Sequence, residues 1–127
     1  MIKSIMNSGV VTIKLEDTIK KALDIMNKKK INGTPVVNDE RKLVGMLVKA
    51  DIYRFLMEEG HYDTCPVDWV MTKKVITAKE DESIMEVAKR IRENDIIAIP
   101  IENKENKVIG IVSVEDLISY FIEKYQD

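Results

Sequence analysis

The sequence predicts an α+β fold made of two copies of one β-α-β-β-α unit. The chain of 127 residues matches itself without a gap when it is shifted by 65 positions. Each copy contains short β-branched runs, which predict strands, and apolar residues at helical spacing, which predict amphipathic helices. A unit of about 60 residues buries too little apolar surface to be stable alone, so we expect the two copies to pack on each other.

The repeat defines how the sequence is divided. Between positions 6 and 58, thirteen residues are identical to the residue 65 positions later. We therefore predict a first motif at 1–60, a linker at 61–69 and a second motif at 70–127. The identical pairs include Met6 with Met71, Pro35 with Pro100, Gly45 with Gly110 and Asp51 with Asp116.

The first strand and first helix of each copy are read from local patterns. Strands are predicted at 10–13 and 75–77. Ser83 followed by Glu86 is a capping-box pattern that predicts the start of the helix in the second copy. Apolar residues at i, i+3, i+4 and i+7 then predict one buried helical stripe in each copy, consisting of Ile19, Ala22, Leu23 and Met26, or of Ile84, Val87, Ala88 and Ile91.

The second half of each copy reads as a hairpin followed by a helix. Strands at 35–37 and 43–47, and at 100–101 and 108–112, are joined by polar turns at 38–41 and 103–106. The last helix begins near Asp51 or Asp116. In the second copy one apolar face is predicted, formed by Val114, Leu117, Ile118, Phe121 and Ile122.

Composition excludes several classes of function. The 20 Lys and Arg against 22 Asp and Glu argue against nucleic acid as the partner. No apolar run approaches the roughly 18 residues that span a bilayer, so no membrane insertion is expected. A single cysteine, Cys65, and no visible secretory signal favour the cytoplasm.

The linker holds the least common side chains of the sequence. His61 and Cys65 have no partner of the right type elsewhere in the sequence to form a catalytic or metal-ligating pair. We therefore expect structural roles for both residues and no enzymatic activity. Trp69 is expected to fill the core. Pro66 is expected to open a short helical turn that leads into Val70.

The segment from Gly110 to Asp116 is the most informative for chemistry. A strand ends in Ser113, and a helix with a carboxylate three residues later follows. Ser113 and Asp116 have two interpretations that do not exclude each other. They can cap the helix. Alternatively, the helix start can bind an anion, with Ser113 donating to a phosphate and Asp116 accepting from the two hydroxyls of a ribose.

The doubled unit, the prolines and the Gly-x-x-[Ser/Thr]-x-x-Asp ending resemble a tandem pair of CBS domains, the Bateman module. The resemblance covers the sequence from Met6 to about Glu123. It implies two motifs packed sheet to sheet with pseudo-two-fold symmetry, two clefts between them, and regulation of an enzyme, channel or transporter by an adenosyl ligand. It also implies a homodimer.

The resemblance assigns residues to both clefts. In the first cleft, ribose and phosphate contacts come from one motif and base contacts from the other; these residues are Met6, Val11, Ile31, Asn32, Ile111, Ser113 and Asp116. The second, weaker cleft would use Met46, Val48, Asp51, Ile76, Ile97 and Ala98. It is weaker because Val48 replaces the hydroxyl residue.

The ligand is expected to have little phosphate charge. Family members that bind nucleotides strongly often have a basic residue just before the proline, but Asn32 and Ile97 lie in those segments here. AMP or an adenosyl ligand with an uncharged tail is therefore favoured over ATP, among AMP, ADP, ATP and S-adenosylmethionine as regulatory ligands; no cofactor is required. Because the two motifs account for nearly the whole sequence, we expect the module to act on an effector protein in trans. The alternative is a dimerisation scaffold without a ligand.

Overall fold

The structure is a computed structural model that describes residues 1–126. Its four α-helices and two three-stranded sheets confirm the predicted α+β class. The chain folds into two compact units. We call Val11–Val75 the continuous unit, and Met1–Val10 together with the residues from Ile76 onward the composite unit.

The continuous unit has the predicted order of elements. In its sheet, β1 is parallel to β2, and β2 is antiparallel to β3. A 3-10 turn at Val67–Trp69 follows Pro66 and confirms the predicted helical turn. The elements are β1 (Ile13–Lys14), α1 (Ile19–Lys29), β2 (Gly33–Val37), β3 (Leu43–Val48) and α2 (Lys49–Leu56).

The composite unit repeats this topology. It opens with a 3-10 turn at Ile2–Ser4, and its sheet has β4 parallel to β5 and β5 antiparallel to β6. The elements are β4 (Ala78–Lys79), α3 (Ile84–Glu93), β5 (Ala98–Glu102), β6 (Val108–Ser113) and α4 (Val114–Lys124).

Both predicted hairpins are present, and the two turns have the same internal bonding. The Asn38 side chain accepts hydrogen bonds from the backbone N–H groups of Glu40 and Lys42. Asn103 does the same for Glu105 and Lys107. An asparagine side chain that replaces a backbone acceptor in this way fixes a tight turn, and it explains why the polar turn residues recur in both copies.

Each unit has its own apolar core. The predicted stripes of α1 and α3 face these cores, with Ile19, Ala22 and Met26 fully buried on α1. On α3, Val87 and Ile91 are buried. At about 25 cal/mol per Å² of apolar surface, the burial of these stripes outweighs the propensity of any single helix residue.

The segments that precede the two first strands pack on the sheets in the same way. Met71 lies against Gly45 of β3, where an added Cβ would come within 2.6 Å of the Met71 Sδ. Met6 lies against Gly110 of β6, where the corresponding distance is 2.5 Å. Both glycines are therefore needed for close approach of a methionine to the strand.

The structure also differs from the sequence-based prediction. Strands β1 and β4 are two residues long, so the predicted strand at 10–13 shares only Ile13 with β1, and the predicted strand at 75–77 ends just before β4. Upstream of β1, the Val11 carbonyl accepts a hydrogen bond from the Thr34 hydroxyl at 2.7 Å. Trp69 is 62% exposed, since Val67 takes the buried place in that turn. The outer half of the predicted α4 face, Ile118 and Ile122, is exposed, whereas Leu117 is buried.

The compact units and the predicted division at 60 and 70 do not coincide. Residues 1–10 join the unit formed by the second half of the sequence: Ile2 is fully buried there, and its N–H donates to the Glu82 carbonyl at 2.7 Å. Residues 66–75 belong to the continuous unit in the same way, through the isolated bridge of Thr72 with Met46.

Candidate ligand-binding site

The start of helix α4 has a complete capping box. The Ser113 Oγ accepts a hydrogen bond from the Asp116 N–H at 3.1 Å, and the Asp116 Oδ2 accepts one from the Ser113 N–H at 2.8 Å. Strand β6 ends at Ser113 and α4 begins at the next residue, so no loop separates them. The capping interpretation of this segment is therefore confirmed.

The capping box leaves polar groups available to a ligand. The Asp116 Oδ1 accepts no hydrogen bond from the residues that the structure describes. Because the Ser113 hydroxyl uses only an oxygen lone pair in the cap, its proton is left to donate. The Val114 N–H is bonded to the Ile97 carbonyl at 3.0 Å. The carboxylate of half-buried Asp116, the Ser113 hydroxyl and the positive end of α4 thus lie together.

The sheet of the composite unit brings further predicted residues to this point. On β5, Ala98 is paired with Ser113, and Pro100 is paired with Ile111. Ile97, just before β5, is 52% exposed. The resemblance assigns Ile97 and Ala98 to the cleft of Asp51, which stays a prediction. Within the composite unit, Ala98 is the strand partner of Ser113, and Ile97 precedes it.

Met6 and Ile111 also belong to this neighbourhood. Asn7 forms an isolated bridge with Ile111, with hydrogen bonds of 2.9 and 3.2 Å in the two directions. This bridge holds Met6 over Gly110, immediately before Ile111 on β6. Ile76 is half-buried at the point where the chain returns to this unit. Of the residues assigned to the first cleft, the composite unit holds Met6, Ile111, Ser113 and Asp116.

The continuous unit holds the remaining predicted residues. Asn32 is exposed, and its backbone carbonyl accepts a hydrogen bond from the Lys49 N–H at 2.9 Å. The Ile97 carbonyl accepts the equivalent bond from the Val114 N–H in the composite unit. In the sheet, Gly33 is paired with Val48, and Pro35 with Met46. Val11, Ile31, Asn32, Met46, Val48 and Asp51 are therefore in one unit.

The start of helix α2 differs chemically from the start of α4. Its N-cap, Val48, has no side-chain cap. The Asp51 carboxylate forms an ion pair with Arg54 at 2.6 Å. The Lys49 ammonium bonds to the Asn27 Oδ1 at 2.6 Å, away from the helix start. Arg54 was missed from the sequence, although the i, i+3 spacing to Asp51 indicates such a pair.

The rare side chains of the linker have structural partners. The His61 ring stacks on Phe55 with centroids 3.8 Å apart, and its Nδ1 lies 2.8 Å from the Phe55 carbonyl. Cys65 is buried. Residues 1–126 contain no group of three or more His, Cys, Asp or Glu arranged to hold a metal ion. Nor does that range contain a helix long and apolar enough to cross a membrane.

Comparison with known proteins identifies the fold. The profile of the CBS domain matches residues 2–58 and 67–123. The chain belongs to the CBS domain family. A CBS domain pair is a regulatory module, and the two matches confirm the tandem arrangement that the repeat predicts.

Similar proteins include two enzymes that contain a CBS pair as part of a longer chain. Inosine-5'-monophosphate dehydrogenase of Aquifex aeolicus is 41% identical over 109 residues, which is 85% of this chain and 22% of that protein. Homoserine O-acetyltransferase of Methanococcus vannielii is 34% identical over 117 residues, which is 92% of this chain and 24% of that protein. The chain thus spans about a quarter of the length of these relatives.

A solved structure of a CBS pair matches almost throughout. The CBS domain pair of protein MJ0100, in complex with 5'-methylthioadenosine and S-adenosyl-L-methionine, has a TM-score of 0.89 and 31% identity. The match covers 98% of each chain.

Proposed function

We propose that this CBS pair is a sensor that binds an adenosyl ligand at Ser113 and Asp116. The observation that supports it most is the unpaired Asp116 Oδ1 beside the Ser113 hydroxyl at the start of α4. The Asp116 carboxylate accepts from the ribose hydroxyls, while Ser113 and the helix start face the group attached to the ribose. The adenosyl ligands in the similar MJ0100 structure agree with this class of ligand.

The absence of a cation beside Asp116 supports a ligand with little negative charge. No Lys or Arg among the described residues forms an ion pair with this carboxylate, and the segment before Pro100 is apolar. Each missing charge-assisted contact to a phosphate lowers affinity by roughly one to two decades. We therefore propose AMP, or an adenosyl ligand with an uncharged tail, ahead of ADP and ATP. S-adenosylmethionine remains in the same class.

The base-side contacts of Met6, Val11, Ile31 and Asn32 stay a prediction from the resemblance. So does the weaker second site of Met46, Val48, Asp51, Ile76, Ile97 and Ala98. Within the continuous unit, Asp51 is engaged by Arg54 and Val48 offers no donor. Both features support a lower affinity for any ligand bound there.

The regulatory output is proposed from the same family membership. Ligand binding shifts the equilibrium between two states only as far as its affinity differs between them. We propose that the chain forms a homodimer in the cytoplasm and signals in trans to an effector protein. A scaffold without a ligand is the second candidate, and the Arg54–Asp51 pair with the bare Val48 cap favours it for the continuous unit.

Thermal unfolding of the purified chain tests the proposal. One of AMP, ADP, ATP, S-adenosylmethionine or 5'-methylthioadenosine at about 1 mM should raise Tm specifically, since a ligand of the folded state stabilises it by RT ln(1 + [L]/Kd). Asp116→Asn keeps the size of the side chain but removes its charge, and it should abolish most of that rise.

Ser83→Ala is the matched control for Ser113→Ala. Ser83 caps α3 with the same 3.1 Å bond that Ser113 makes on α4, but it belongs to no predicted site. Both variants should lower the basal Tm through the lost cap. Only Ser113→Ala should also reduce the ligand-induced rise. If none of the ligands stabilises the protein, the scaffold function is the better one.

A further inference from the structure

Helix α1 has a dense group of lysines on its exposed surface. Five lysines occur on α1 and its C-cap, and all of them are exposed: Lys20, Lys21, Lys28, Lys29 and Lys30. Within the described part of the chain, only Lys21 of these five has an ion pair, with Asp17 at 3.2 Å. The remaining ammonium groups are available to another molecule.

Two of these lysines stand where the helix dipole disfavours them. The first turn of a helix favours acidic residues and disfavours cations. Each of α2, α3 and α4 has an acidic residue in its first turn, whereas α1 has none and begins with Lys20 and Lys21. Lys28 and Lys29, in the last turn, follow the dipole. The helix dipole therefore favours the lysines at the end of α1 and disfavours the two at its start, of which Lys21 has a compensating ion pair with Asp17 and Lys20 has none among the described residues.

Three of these lysines line an open depression along α1 with a volume of about 350 Å³. It is lined by Thr18, Lys20, Lys21, Asp24, Ile25 and Lys28. Asp24 is one helical turn from both Lys20 and Lys28, so the lining combines ammonium groups with one carboxylate and one hydroxyl. Such a lining accepts a ligand that has both acceptors and donors.

The internal repeat shows that the fold does not require this charge. The positions equivalent to Lys20, Lys21 and Lys28 on α3 are Met85, Glu86 and Glu93. The same helix geometry is therefore built in the composite unit without basic residues at these three positions. The lysines of α1 are a property of the continuous unit alone.

We propose that the exposed face of α1 is a docking surface for an acidic segment of a protein partner. Lysine ammonium groups bind carboxylates as point charges, and backbone N–H groups of the same segment can donate to Asp24. Polyphosphate has acceptors for the lysines but no donor for Asp24, so it matches this lining less well than a peptide does. A lipid surface is also disfavoured, because no large hydrophobic side chain between positions 2 and 52 of the described chain is exposed.

The test uses the full chain and a fluorescein-labelled decamer of glutamate, measured by fluorescence anisotropy at about 50 mM salt, where surface charges are weakly screened. The variant Lys20→Glu/Lys28→Glu should lose about tenfold or more in affinity. The control Lys89→Glu/Arg92→Glu changes net charge equally on the exposed surface of α3, and it should stay within about twofold. Amide NMR shifts on peptide addition should concentrate at 18–30.

Three outcomes overturn the proposal. The unchanged protein fails to bind the peptide, or both double variants weaken binding equally, which would mean that only net charge is sensed. In the third outcome, polyphosphate or phosphatidylserine vesicles bind through the same lysines more tightly than the peptide does. None of these readouts depends on an adenosyl ligand, so the docking surface and the proposed site fail or survive separately.

Discussion

At the scale of single residues, the close approach of a methionine to a glycine recurs in both units. The repeat aligns Met6 with Met71 and Gly45 with Gly110. It does not show that Met6 packs on Gly110 and Met71 on Gly45, because a repeat reveals which positions are equivalent and not which copy each one contacts. The tertiary structure determines which glycine each methionine contacts.

We predict that Gly110→Ala destabilises the protein by about 1–3 kcal/mol, since the new Cβ would overlap the Met6 thioether and approach the Asn7 carbonyl at 3.2 Å. Urea unfolding measures the change. Gly9→Ala is the control, because its nearest heavy atom is 3.6 Å away, and it should change stability by less than about 0.5 kcal/mol. Equal effects of both variants would contradict the close approach.

The carboxylates of Asp51 and Asp116, which the repeat aligns, illustrate which features of a site the sequence can predict and which it cannot. The missing hydroxyl at Val48 is visible in the sequence, and so is the capping pattern at Ser113. The 2.6 Å pair between Asp51 and Arg54 depends on a side-chain conformation that spacing permits but does not require. Ser119 is the residue equivalent to Arg54, and among residues 1–126 no ion pair is formed by Asp116, whose carboxylate takes part in the capping box.

We predict that Val48→Ser/Arg54→Ser strengthens AMP binding at the Asp51 site by about tenfold or more, because it supplies a donor and frees the carboxylate. Isothermal titration calorimetry should show a second binding event. Arg54→Ser alone separates the two contributions, since it frees Asp51 without adding the hydroxyl. An unchanged isotherm for both variants would remove Asp51 from the proposed second site.

At the scale of elements, one ion pair ties the entrance of β4 to helix α3. Arg90 donates to both carboxylate oxygens of Glu82 and, at 2.9 Å, to the Thr77 carbonyl. The Glu82 carboxylate also accepts from the Lys79 N–H. The guanidinium of Arg90 holds the pKa of Glu82 below its ordinary value of 4.5, despite the opposing effect of burial.

We predict that Glu82→Gln lowers stability by about 1 kcal/mol near neutral pH. The pKa of Glu82 is lower in the folded state, so its contribution is complete above about pH 5 and is lost as pH falls through the folded pKa. Urea unfolding from pH 7 to 3 should show the two proteins converging in acid. Asp39→Asn, at an exposed pair with Lys14, is the control and should have no measurable effect.

Helical periodicity predicted the buried stripes of α1 and α3 correctly, whereas on α4 the apolar face is wider than the part of it that is buried. Ile118 and Ile122 continue the apolar pattern of Leu117 and Phe121, but they are 53% and 60% exposed. Periodicity identifies which residues are apolar and adjacent on a helix. It does not determine how wide a face the sheet beneath can cover.

At the scale of the whole molecule, the repeat predicted two units but not their composition. Ile2 and Val67 occupy equivalent positions, and both are fully buried. Ile2 completes the core of the composite unit, and Val67 that of the continuous unit. The sequence could not show this, because apolar residues near a terminus look the same whichever core receives them.

We predict that Ile2→Ala destabilises the composite unit by about 2–5 kcal/mol, because the smaller side chain leaves a cavity in the core. Hydrogen exchange should show faster exchange in β4 to α4 and unchanged protection in β1 to β3. Val67→Ala is the reciprocal variant and should affect the continuous unit. Uniform loss of protection in both variants would show that the units do not open separately.

The place of residues 1–10 has a consequence for biosynthesis. The continuous unit is one uninterrupted stretch, so all of its residues are available once Val75 has left the ribosome. Asn7, in contrast, pairs with Ile111, which is translated about a hundred residues later. At about 5–20 residues per second, the N-terminal segment waits about 5–20 seconds for its partner strand. Residues 1–10 therefore complete their unit only after β6 has been translated.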